Sequence, residues 1–149
     1  MTARWVALVH GDDRPGTLTA LTSVFSTRGV SFESLATGAV DGDAGIIAVT
    51  FTASARRQHL LARTVACLSA VQSIEVRSAD DPTVRAAGVV RMAGGDPFVP
   101  PVDAPVRWSG DAAAGQPVLI EGALADVTTV MALARTQGAA MTAVVILGF

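Results

Sequence analysis

Two short signatures, one helix apart, hold most of the chemistry this chain can offer. The first is Asp13-Arg14-Pro15-Gly16-Thr17-Leu18, and the second is Arg28-Gly29-Val30-Ser31-Phe32-Glu33-Ser34-Leu35. The apolar-periodic stretch from Thr19 to Thr27 between them reads as a helix. A Pro-Gly turn at its start bares backbone N–H groups, which suits a small anion such as an amino-acid carboxylate. Gly16 then either lets that carboxylate approach the amides of Gly16, Thr17 and Leu18, or is an ordinary glycine at a helix start. Asp13 is placed to cap the free amides, a role compatible with holding a ligand ammonium. Pro15 fits the first helical position, where its missing N–H costs nothing.

Other chemistry is poorly supplied. The chain has no lysine and no tyrosine, which removes the lysine Schiff base, the Walker-type lysine and the tyrosine acid. His10, Asp12 and Asp13 match no recognised metal-ligand spacing. Cys67 and His59 show no base–nucleophile logic, and Cys67 reads as core packing on an apolar helix face. Gly94-Gly95 lacks the strand before and the helix after that a nucleotide fingerprint needs. No catalytic constellation, metal or cofactor is expected, so the chain reads as a non-enzyme.

The elements that must position the first turn can be followed along the chain. Arg4 to His10 is a short apolar run, read as a strand buried on both faces. Leu18, Leu21 and Phe25 form a helical stripe that Gly29 stops. Val30 to Ala39 reads as a strand with a bulge at Ser34-Leu35. Asp41-Gly42-Asp43 signals a hairpin, and Gly45 to Thr52 is the returning strand. Arg56 to Val71 reads as a helix with Leu60, Leu61, Thr64, Cys67, Leu68 and Val71 on one side. Ile74 and Val76 lie in a further strand. This order is β-α-β-β-α-β, an α+β, ferredoxin-like unit over residues 1–80. Residues 81–116 read as a strand, Val84 to Met92, followed by a Pro/Gly-rich linker. Residues 117–149 read as a C-terminal βαβ segment, a reduced second domain too small to stand alone. Its helix runs from Ala123 to Gln137.

Composition bounds the partners. The chain has 149 residues, half of them hydrophobic, and a net charge of −2. No Lys/Arg run exists, so nucleic acid is not expected. No apolar run is long enough to span a bilayer, and the opening residues lack a signal-peptide layout. The expected location is the cytoplasm. The sheet face away from the helices is too apolar to stay wet, which predicts a homodimer or coverage by the C-terminal half.

With these residues in view, the chain resembles the ACT family of amino-acid-binding regulatory modules. The string Arg28 to Leu35 resembles the Arg-Gly-x-Asn-Ile-x-Ser-Leu stretch of the small regulatory subunits of acetohydroxyacid (acetolactate) synthases. Gly38 and the acidic hairpin from Asp41 to Gly45 fit the same pattern. The resemblance covers roughly Arg4 to Asp80. It implies an allosteric module that binds an amino-acid effector, of branched-chain type, between two ACT units and controls a catalytic synthase subunit. The alternative is a stand-alone ACT sensor without a synthase partner. The resemblance also implies a ligand-binding set of Asp13, Arg14, Pro15, Gly16, Thr17, Leu18, Ser31 and Phe32. Ser31 stands where the family carries an asparagine. It reads equally as a polar ligand contact or as an ordinary serine at a strand start.

Overall fold

The computed structural model describes residues 1–39 and 44–149. The hairpin expected at Asp41-Gly42-Asp43 lies outside the described residues. The described residues form eight strands and three helices, divided between two compact units, Met1–Ala79 and Asp80–Phe149.

In the first unit, β1 (Ala3–Asp12), β2 (Phe32–Ala39), β3 (Ala44–Ala53) and β4 (Val71–Ser78) form an antiparallel sheet in the order β2-β3-β1-β4. β1 is central, and Val6, Ala7, Leu8 and Val9 are all buried, as a continuous apolar run requires. Helices α1 (Thr17–Thr27) and α2 (Ala55–Ala66) bring Leu21, Val24, Phe25, Leu61 and Val65 into one core with Ala7, Val9, Val49 and Phe51. Phe25 is its centre. Its ring meets Phe51 edge-on at 5.3 Å and Phe32 at 6.0 Å, both within the range favoured by the ring quadrupole.

Several expectations change in detail. The buried stripe of α1 begins at Thr17 rather than Leu18, and Leu18 is 40% exposed. Pro15 is not the first helical residue. It occupies the second position of a turn in which Thr17 N–H reaches Arg14 O at 3.3 Å. Gly16, at φ 97°, takes the third position, as a type II turn demands. Gly16 is therefore the N-cap, and among the described residues no side chain caps α1, so Asp13 does not cap it. The bulge in β2 falls at Glu33, between Phe32 and Ser34, one residue earlier than the pattern suggests.

α2 starts where Ser54 Oγ accepts from Arg57 N–H at 3.2 Å. It ends at Ala66, well short of Val71. The tertiary fold ends it: Ala70 O accepts from Asp12 N–H at 2.9 Å, and Val71 pairs with Gly11, so the chain has already turned into β4. Cys67 becomes the C-cap of α2 and is exposed, not core.

In the second unit, β5 (Arg85–Met92), β6 (Arg107–Ser109), β7 (Val118–Ala123) and β8 (Ala139–Gly148) form an antiparallel sheet in the order β6-β7-β5-β8. Helix α3 (Leu124–Thr136) buries Leu124, Val127, Val130, Met131 and Ala134. Gly88 in β5 permits close packing there. A Cβ at that position would lie 2.8 Å from Met131 Sδ and 3.1 Å from Val127 Cγ1. The Pro/Gly-rich stretch is packed: Phe98, Pro100 and Ala112 are buried, and it contributes β6.

Candidate functional site

The β1–α1 turn forms one wall of a cavity of about 390 Å³. Gly11 and Asp12 at the end of β1, Asp13 to Pro15 in the turn, and Thr17 and Leu18 at the start of α1 line one side. Thr37 and Gly38 at the end of β2 and Gly45 to Ile47 at the start of β3 line the other. Topology brings these segments together. In the antiparallel β1–β3 pair, His10 lies opposite Ile46 and Asp12 opposite Ala44. The end of β1, the end of β2 and the beginning of β3 therefore share one end of the sheet.

The polar groups are mixed in sign. Arg14 Nη2 lies 3.1 Å from Asp12 Oδ2, so that arginine is partly spent on its neighbour. Asp13 forms no ion pair among the described residues. Ala20 N–H reaches Gly16 O at 2.8 Å. Among the described residues, the N–H groups of Leu18 and Thr19 have no backbone acceptor, the ordinary condition of first-turn amides. No acidic side chain lies in that turn to neutralise the helix N-terminus. Thr17 is buried, yet its Oγ1 has no hydrogen-bond partner among the described residues. An unsatisfied buried hydroxyl costs about 1–3 kcal/mol.

Of the residues expected at a ligand site, Asp13, Arg14, Pro15, Thr17 and Leu18 line this cavity, and Gly16 is part of the same turn. A Cβ at Gly16 would meet nothing within 4 Å. Ser31 and Phe32 are not brought to it. An eleven-residue helix is about 16 Å long, so α1 carries the chain to the opposite end of the sheet before β2 begins. Phe32 packs there, across from Phe51. Gly11, Asp12, Thr37, Gly38, Gly45, Ile46 and Ile47 also line the cavity and are not in the expected ligand set. The only usable signal was the hairpin spacing, which returns the chain to the end of the sheet where β1 finishes.

Among the described residues no group of three or more His, Cys, Asp or Glu could hold a metal ion. No helix among them is long and apolar enough to cross a membrane.

No protein-family model matches the sequence, and no curated protein matches it. Solved structures do. The acetolactate synthase small subunit from Thermotoga maritima superposes with a TM-score of 0.66 at 13% identity, covering 98% of this chain and 97% of that chain. The fold is ACT-like. The regulatory subunit of aspartate kinase from Thermus thermophilus has a TM-score of 0.49 at 13% identity, covering 89% of this chain and 90% of that one. The ACT domain from GTP pyrophosphokinase of Chlorobium tepidum has a TM-score of 0.45 at 17% identity, covering 52% of this chain and 100% of that one. The ACT-like fold of this chain rests on the Thermotoga structure, which spans both units.

Proposed function

We propose that this chain is a non-catalytic regulatory module whose ACT-like first unit binds an amino-acid effector in the cavity at the start of α1. The observation that carries this reading is the juxtaposition of opposite charge preferences in one small space. First-turn amides of α1 favour a carboxylate, while Asp12 and Asp13 favour an ammonium. The buried hydroxyl of Thr17 adds a group that lacks a partner. Leu18, Ile46 and Ile47 supply apolar wall for a side chain, which suits a branched-chain effector. By its fold, the Thermotoga small subunit supports a catalytic synthase as the partner. The assembly in this reading is a homodimer, with the effector favouring one arrangement of the two chains and the partner sensing it.

Calorimetry with valine, leucine and isoleucine tests the site. At least one should give a saturable signal. Gly16→Asp should abolish it, because a carboxylate at the N-cap of α1 competes with the ligand anion for the first-turn amides and repels it. Gly16→Ala separates charge from strain. Its methyl group has open space, but a non-glycine residue at φ 97° costs about 1–2 kcal/mol. That variant should melt lower and still bind. Binding unaffected by Gly16→Asp would place the site elsewhere.

A further inference from the structure

The helix layer of the first unit carries charge differently from its sheet. Arg4, Arg14 and Arg77 each face a carboxylate, those of Glu33, Asp12 and Glu75. Arg28, Arg56, Arg57 and Arg63 of the helix layer form no ion pair among the described residues. α2 holds three arginines and one histidine and no Asp or Glu. Arg56 and Arg57 sit in its first turn, where the helix dipole disfavours cations. Among the described residues no carboxylate pairs with these cations.

The same face has an apolar component. Arg56, His59, Leu60 and Arg63 follow the spacing i, i+3, i+4, i+7 and share one exposed side of α2. Leu60, among the cations, is 38% exposed. Beside it a groove of about 450 Å³ runs between the two helices, lined by Ala20, Ser23 and Val24 of α1 and by Thr64 and Leu68. Arg28 also lines it, its Nη2 donating to Thr64 Oγ1 at 2.8 Å. Small side chains on α1 let another helix approach closely.

We propose that this helix face docks an acidic amphipathic helix of a partner protein, with apolar side chains in the α1–α2 groove and carboxylates against Arg28, Arg56 and Arg63. Charge selects the occupant. A second copy meeting this face about a two-fold axis would set the same uncompensated arginines against each other. A nucleic acid would leave Leu60 and the apolar groove unused, and the whole chain is net negative. A helix in a groove uses both components. This face shares no lining residue with the cavity at the start of α1, so the inference stands apart from the effector reading.

The test is a fluorescence anisotropy titration of the full chain with a synthetic helical peptide. The peptide carries leucines at i, i+4 and i+7 with glutamates on either side, and its control replaces every glutamate by lysine. Saturable binding of the acidic peptide alone is expected, weakening as salt is raised. Arg56→Glu combined with Arg63→Glu should weaken it at least tenfold. Arg56→Lys with Arg63→Lys should largely retain it, and Ser23→Trp should block the groove. All of these positions are exposed, and unchanged circular dichroism melts would show that each variant folds. The proposal is overturned if the acidic peptide does not saturate or binds the double glutamate variant equally well. Tighter binding of a DNA duplex or of phosphatidylglycerol vesicles would also overturn it. So would light scattering in which the double glutamate variant dissociates an oligomer, since the face would then belong to a second copy.

Discussion

Glu33 shows how one extra residue in a strand sets local electrostatics. The bulge at this position lets its carboxylate reach across two neighbouring strands. Oε1 accepts from Thr52 Oγ1 at 2.6 Å, and Oε2 accepts from Arg4 Nε at 2.8 Å. Burial alone raises the Glu33 pKa. The hydrogen bond from Thr52 and the hydrogen bond and charge of Arg4 outweigh burial and hold it below the ordinary glutamate value. A carboxylate whose folded pKa is depressed adds stability that is complete above its unfolded pKa, about 4.3. That stability is lost as pH falls through the lower folded value. The Arg4 and Glu33 side chains are 37% and 41% exposed, so solvent screening limits the effect to about 1 kcal/mol or less. Thermal melts of Glu33→Gln should therefore fall slightly below the parent at pH 7 and converge with it as pH falls through the lowered folded pKa. A constant gap across that range would show that the carboxylate charge is not what stabilises this corner. Residue types made Asp13 and Gly16 legible as site candidates. They did not reveal Asp12 or Ile46, because a strand end is chemically silent until its neighbours are known.

At the scale of elements, Gly11 ties the turn to the rest of the sheet. A Cβ there would lie 2.6 Å from Ala70 O, which accepts the Asp12 N–H. Gly11 also lies at the register shift between β1 and β4. Gly11→Ala must push apart the end of β1 and the α2–β4 connection, two backbone segments with little freedom to move. The expected loss is about 1–3 kcal/mol in denaturant unfolding, with effector binding weakened because Asp12 moves with it. An unaltered midpoint would mean that this close approach can relax. The length of α2 illustrates what periodicity cannot show. The apolar positions Leu61, Val65 and Leu68 continue the helical pattern, yet the pairing of Val71 with Gly11 claims the chain for β4. Leu18 and Thr17 exchange roles for a related reason. The type II turn rotates α1 so that Thr17, Leu21, Val24 and Phe25 face the core, and Leu18 is left to line the cavity.

For the whole molecule, the homodimer is the proposal most directly measured. Light scattering at micromolar concentration should give twice the chain mass of 15.2 kDa, and the melting temperature should rise with protein concentration. A monomer would remove a ligand site shared by two chains from consideration. The sequence by itself determined the order of elements in the first unit, the central buried strand from Arg4 to His10, and the turn at Pro15-Gly16. Each of these follows from local causes: a period of two or of 3.6 in apolar residues, and backbone angles that only proline and glycine adopt readily. Tertiary structure alone decided where α2 stops, that Cys67 is exposed, and that Arg85–Met92 is a central strand of its own sheet with β6 recruited from the proline-rich stretch. It also decided which residues surround the cavity, uniting the ends of β1 and β2 with the beginning of β3 and sending Ser31 and Phe32 to the far end. Those outcomes depend on pairing between segments distant in sequence. A strand's partner, its register and the length of the helix before it are fixed only when the backbone hydrogen bonds of all the strands are satisfied together.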